Sequence, residues 1–244
     1  MAQQSSDGAG IARRIRRLGE VTPYVKVLIY GRPGVGKTYL ASSAPKPIIL
    51  DCEGGTLGIP RDRDVDVLTI TRYEEVTEAF WFLREDHGYQ TVVIDSLTEL
   101  QRRLMDEILE LEPRHPYRDD MPTLSDWGKN TQRMRRIVRA FRDLPMHVVF
   151  VSMEKEVRDE RSGEITYQPA LSDKLAGDVC AYVDVVGRLV VSETEDGLRR
   201  LLFTQPGVSF IAKDRSGALG GVMEDPHFER IIRLIQVTEG KEGQ

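Results

Sequence analysis

The sequence predicts an α/β fold: a mostly parallel, twisted sheet flanked by helices and extended by antiparallel strands toward the C-terminus. Three observations predict it. Gly31-Arg32-Pro33-Gly34-Val35-Gly36-Lys37-Thr38 matches G-x-x-x-x-G-K-[ST] in full, between the apolar run Val25–Tyr30 and Tyr39-Leu40-Ala41. Strand, glycine-rich turn and helix start is the context that a phosphate-cradling loop requires. Short apolar runs then alternate with segments of helical period as far as Ser152, which is the pattern of βαβ units. From Val183 onward strand patterns follow one another across turn signals, as antiparallel neighbours do.

Taken in order, residues 1–10 are small and polar, and Ile11, Ile15 and Leu18 then recur among Arg13, Arg14, Arg16 and Arg17. This predicts a flexible basic arm over 1–20, one domain over 21–238 and a polar tail over 239–244. After the loop, Pro47-Ile48-Ile49-Leu50-Asp51 is a buried parallel strand ended by Cys52-Glu53-Gly54-Gly55, and Asp66–Ile70 is a third strand. Val76, Phe80 and Leu83 share one stripe of a helix over 73–87 that Gly88 ends. Thr91-Val92-Val93-Ile94-Asp95-Ser96 is a strand with an acid at its end, and the next helix runs from Leu97 until Pro113 stops it.

Residues 113–125 read as a loop, and Asp126–Asp143 as a helix with Trp127, Thr131, Met134, Val138 and Phe141 on one face. Met146–Ser152 is a strand; 154–172 has no clear period but carries a turn at Arg161-Ser162-Gly163-Glu164. Val183–Val191, Leu198–Thr204 and Val208–Lys213 are the antiparallel strands, joined at Glu195-Asp196-Gly197 and Pro206-Gly207. A last helix spans Asp225–Val237.

The chain has 244 residues, 40% hydrophobic and 30% charged, enough to bury a sizeable core and remain soluble. Cys52 and Cys180 sit in apolar surroundings and read as core residues of a reducing compartment. The four histidines have no ligand spacing, so no structural metal is expected. No signal peptide or membrane-length apolar stretch is visible, which predicts a cytoplasmic protein without a membrane partner. A net charge of −5 argues against a protein that coats duplex DNA, while leaving room for local basic patches.

The candidate site follows from the loop. Gly31, Arg32, Pro33, Gly34, Val35 and Gly36 would turn amide groups toward phosphate oxygens, with Tyr39 bordering the cradle. Lys37 would reach the β- and γ-phosphates and the Thr38 hydroxyl would hold Mg²⁺. Asp95, at the carboxyl end of a strand, is placed to hold Mg²⁺ through water opposite Thr38; the alternative is a helix N-cap. Glu53 is the candidate for orienting an attacking water, against a solvated turn residue, and Asp51 competes for that role. Lys213 and Arg215, at i and i+2, would present two cations to a nucleotide in this subunit or the next. Their alternative is a basic edge that discourages strand pairing.

Together these segments resemble the RecA-type P-loop ATPase core, over about residues 24–222. Val27–Thr38 resembles its Walker A, Ile49–Glu53 the strand bearing its general-base glutamate, and Val92–Ser96 its Walker B. Ala212–Gly217 resembles its Lys/Arg finger segment, which acts on a neighbour's ATP. The resemblance implies ATP and Mg²⁺ as cofactors, catalytic roles for Lys37, Glu53, Asp95, Lys213 and Arg215, and a homo-oligomer. The overall likeness is to compact RecA-core ATPases of bacteriophages, which implies single-stranded DNA, recombination or strand annealing, and a single-strand-binding protein as a further partner. On that likeness 113–125 and 154–178 take the places of two DNA-binding loops, with Arg114, Arg118, Lys155, Arg158, Arg161 and Lys174 as phosphate contacts. Where the family carries a glutamine sensor, this chain reads Val151-Ser152-Met153-Glu154. Two other functions fit the loop: a small-molecule phosphotransferase with 113–126 as its lid, and a nucleotide-gated loader with little turnover.

Overall fold

The computed structural model describes residues 24–110, 121–194 and 197–241, together with Ile15 and Arg17. The basic arm apart from these two residues, Arg114 and Arg118, and part of the Glu195-Asp196-Gly197 turn lie outside the described residues.

Among the described residues ten strands form one sheet: β1 Lys26–Gly31, β2 Pro47–Asp51, β3 Asp66–Thr69, β4 Thr91–Asp95, β5 His147–Arg158, β6 Ile165–Pro169, β7 Val185–Thr194, β8 Gly197–Phe203, β9 Lys213–Asp214 and β10 Val222–Glu224. Their order is β10-β8-β7-β1-β5-β4-β2-β3, with β6 paired to β5 and β9 to β7. From β3 to β7 all neighbours on this path are parallel, whereas β6, β8, β9 and β10 join antiparallel. The expected α/β architecture, a mostly parallel sheet flanked by helices and extended by antiparallel strands toward the C-terminus, is borne out.

Alternation along the central strands fills both faces of the sheet. Leu28, Tyr30, Leu50, Val92, Ile94, Val148 and Phe150 face one layer. That layer contains α2 (Tyr73–Phe82), α3 (Leu97–Ile108), α4 (Leu124–Arg142) and α5 (Asp173–Tyr182). Val27, Ile29, Ile49, Val93, Val149 and Val151 face the other, which holds α1 (Lys37–Ala41) and α6 (Phe228–Lys241). Burying one such side chain contributes about 1.5–3 kcal/mol, so the central strands are the rigid floor beneath the loop. Among the described residues no helix is long and apolar enough to cross a membrane.

Several elements differ from expectation. β5 does not end at Ser152 but continues to Arg158, because β6 pairs with its second half around the turn at Gly163. The outer end of this ribbon, Glu156–Arg158 with Ile165, is exposed and held by strand pairing rather than by an apolar face, so 154–169 carries no readable period. The helix α5 over 173–182 was not expected; its Leu175, Ala176 and Val179 are buried, yet the stripe is too short to stand out. β9 has two residues where a strand over 208–213 was expected, and β10 was not expected. α4 starts at Leu124 because Thr123 and Asp126 form a capping box, with Trp127 left 42% exposed rather than on the buried face. α6 runs on to Lys241, past the expected end at Val237.

Candidate functional site

The carboxyl ends of β1, β2 and β4 converge beside the middle of β5, and the sequence places chemistry at each of the three. β1 ends in Gly31, where a Cβ would lie 2.3 Å from the Leu189 carbonyl oxygen of β7, so only glycine allows the strands to approach. Gly34 and Gly36 take positive φ values of 80° and 95°, which lets the chain wrap before α1 begins. The Lys37 ammonium is buried beneath this loop and donates to the carbonyl oxygens of Gly31 (3.0 Å) and Arg32 (2.9 Å). Burial holds its pKa below the ordinary lysine value, against the pull of Asp95, Glu53 and Glu154.

Asp95 ends β4 with its side chain buried, and it accepts a hydrogen bond from the Thr38 hydroxyl at 2.5 Å. The N-cap of α3 is Ser96, whose hydroxyl accepts from the Glu99 amide at 3.3 Å. Asp95 is thereby free of the capping role and faces the loop. Burial pushes its carboxyl up to about 6, the Thr38 hydrogen bond opposes this, and Glu53 and Asp51 add to it. A buried carboxyl beside a threonine hydroxyl, crowded by two further acids, is a hard-oxygen donor pair that suits Mg²⁺.

Glu53 lies just past β2, exposed, and accepts a hydrogen bond from the Ser96 hydroxyl. Asp51 sets it there. One Asp51 carboxylate oxygen accepts from the amides of Glu53 (3.0 Å), Gly54 (2.8 Å) and Gly55 (3.3 Å), which shapes the turn. That carboxylate is committed to the backbone, which separates Asp51 from the role in which it competed with Glu53. Arg103 of α3 braces the same turn by donating to the Cys52 and Thr71 carbonyl oxygens at 2.6 and 2.7 Å.

The structure thus brings Lys37, Thr38, Asp95 and Glu53 together with the loop. It does not bring Lys213 and Arg215 there. β9 pairs with Val185–Val186 of β7, which lie beside the start of β1 rather than its Gly31 end. Both cations turn to the end of α5: Lys213 donates to the Cys180 carbonyl oxygen and Arg215 to that of Ala181 at 2.6 Å. Cations are favoured at helix C-termini, so within one chain this is what they do.

A family model described as an AAA domain (AAA_24) matches residues 24–216, the span that holds the loop and all three acids. The chain belongs to this AAA domain family. Solved structures similar to it include the KaiC-like protein PH0186 of Pyrococcus horikoshii OT3, at 12% identity and a TM-score of 0.42, over 73% of this chain and 77% of that one. The flagellar accessory protein FlaH of Methanocaldococcus jannaschii is similar at 10% identity and a TM-score of 0.39, over 73% and 76% of the two chains. No curated protein is significantly similar to it. The family match and the glycine-rich loop at the end of β1 of a mostly parallel sheet agree on a P-loop fold.

Sequence reasoning missed Arg200. Its Nε donates to the Val35 carbonyl oxygen at 3.2 Å and occupies the space beside Gly36, 2.5 Å from where a Cβ would stand. Its guanidinium lies 5.0 Å from the Tyr39 ring centre, and that of Arg63 lies 4.2 Å from the same ring. Arg199-Arg200 is visible on a predicted strand, but nothing local tells which of two adjacent side chains would face a loop so distant in sequence.

The Asp95 carboxyl gives a pH-dependent prediction. The fold binds its proton more tightly than the unfolded chain does, because the value rises from 3.8 to about 6. The stabilisation is therefore complete below about pH 4 and lost as pH rises through about 6. At full ionisation that difference corresponds to at most roughly 3 kcal/mol. Asp95→Asn, unfolded thermally without added magnesium, should melt several degrees above the parent at pH 8, with the gap closing toward pH 5. A parent more stable than the variant at pH 8 would mean that hydrogen bonding outweighs burial at Asp95.

Proposed function

We propose that this protein is a magnesium-dependent ATPase that acts on single-stranded DNA in homologous recombination or strand annealing. The observation carrying the ATPase reading is the convergence of Thr38, Asp95 and Glu53 on one end of the loop through two side-chain hydrogen bonds. Loop amides and the Lys37 ammonium bind the phosphates. Thr38 and Asp95 hold Mg²⁺, which when bound neutralises charge on the β- and γ-phosphate oxygens. Glu53 accepts a proton from a water as its oxygen bonds to the γ-phosphorus and the bond to the bridging oxygen breaks; Ser96 fixes the carboxylate for that step.

DNA as effector is supported by the continuity of β5. The strand passes beside the loop, with Met153 opposite Gly31, and runs on into the β5–β6 hairpin, where Arg158 and Arg161 are exposed. Arg32 of the loop pairs with Glu154 (3.7 Å) and Glu156 (3.4 Å) of that strand, so loop and hairpin share contacts. The side chain of Glu154, in the stretch where the family carries its sensor, is buried and held by Arg188 at 2.7 Å. Lys155 is tied to Asp173 at 2.6 Å, and Lys174 sits on α5 rather than in a loop. A neighbouring copy is the proposed recipient of Lys213 and Arg215, since neither reaches the phosphate loop of its own chain.

Steady-state phosphate release, measured with and without single-stranded DNA from about 50 to 200 mM salt, tests this reading. Release should rise severalfold with DNA at low salt, and the stimulation should fade as counterions compete. Equal rates at every salt concentration would remove the DNA and leave the ATPase.

A further inference from the structure

Arg32 follows the first glycine of the loop, and its side chain is 68% exposed on the side of β5. Its guanidinium faces two carboxylates of that strand, Glu156 at 3.4 Å and Glu154 at 3.7 Å. These two partners differ. Glu156 is exposed, whereas the Glu154 side chain is buried and accepts two hydrogen bonds from Arg188, at 2.7 and 3.3 Å. Arg188 in turn lies over the Tyr167 ring at 4.0 Å, with Phe210 at 5.4 Å. Arg32 can therefore leave without stranding a buried charge, because Arg188 still satisfies Glu154. What Arg32 gives up is long and largely exposed, the kind of ion pair that contributes little.

A stronger partner would come within reach of the same side chain. The Lys37 ammonium, which meets the β- and γ-phosphates in the reading above, lies 2.9 Å from the carbonyl oxygen of Arg32 itself. An anion held by Lys37 is thus close enough to the Arg32 backbone for the side chain to fold onto it. Phosphate oxygens match the guanidinium fork, and such charge-assisted bonds are about twice as strong as neutral ones. Within the chain Lys213 and Arg215 are committed to the end of α5, so neither supplies charge to this phosphate. We propose that Arg32 exchanges Glu156 and Glu154 for the terminal phosphate of ATP, and is the side chain by which this protein tells ATP from ADP. The glutamates hold it aside while the loop is empty and compete with the phosphate once it arrives. The proposal rests on the reading of the loop as a triphosphate site and names the residue that recognises the third phosphate.

The full chain is titrated with ADP and with the β,γ-imido analogue of ATP, each with magnesium, for the parent, Arg32→Gln and Glu156→Gln. Both substitutions alter exposed side chains, so the fold is not at risk. Arg32→Gln should bind the ATP analogue at least about tenfold more weakly than the parent, with ADP affinity within about twofold. Glu156→Gln removes a competitor and should bind the analogue about two- to fivefold more tightly, with ADP again unchanged. Equal losses of ADP and analogue in Arg32→Gln would make Arg32 a prop of the loop and overturn the exchange. Analogue affinity that Arg32→Gln leaves as in the parent would also overturn it, as would weaker analogue binding by Glu156→Gln. A parent chain that binds neither nucleotide would remove the triphosphate reading, and the exchange with it.

Discussion

Glu53→Gln is expected to lower steady-state phosphate release by at least about a hundredfold while leaving ATP affinity within about twofold. Glutamine keeps the shape and can still accept from the Ser96 hydroxyl, so the turn that presents it is retained. What it loses is basicity at a carboxylate that, unlike Asp51 and Asp95, is exposed to water. Asp95 is buried against Thr38, and Asp51 is occupied by three backbone amides, so neither can take over. The check is a phosphate-release assay beside an equilibrium titration on the same preparation. Turnover that survives the substitution would return Asp51 to candidacy and remove Glu53.

Much of this arrangement was legible in the sequence because it depends on local signals. The loop announces itself through glycines at fixed spacing, and strand ends announce Asp95 and Glu53 because apolar runs stop there. Both acids converge on the loop, since parallel strands present their carboxyl ends at one edge of the sheet. Asp95 was readable as a metal holder or as a helix N-cap; the structure divides the work, with Ser96 capping and Asp95 facing Thr38.

The rest was hidden for physical reasons. Asp51 was readable as an acid near the site, but its role as the organiser of the Glu53 turn depends on three amides lining up on one oxygen. Arg63 and Arg200 reach Tyr39 from 24 and 161 residues away in the chain, through packing that no local period encodes. Lys213 and Arg215 do project to one side, as their spacing implied, but that side holds the end of α5. The β5–β6 ribbon was missed because its pairing, rather than an apolar face, holds it together.

The second large effect belongs to Lys37. Its ammonium is buried under the loop, where removing a charge that meets phosphate typically costs 2–5 kcal/mol, about 30- to several-thousandfold in affinity. Burial already disfavours its charged form in the fold, so Lys37→Ala is expected to leave the melting temperature within a few degrees of the parent. Loss of binding can then be attributed to the missing charge rather than to unfolding.

An equilibrium titration of Lys37→Ala with ATP and magnesium, set beside the parent chain, tests most directly whether this loop grips a triphosphate. The account predicts affinity at least about thirtyfold weaker in a variant that melts as the parent does. A folded variant that binds ATP as tightly as the parent would contradict it.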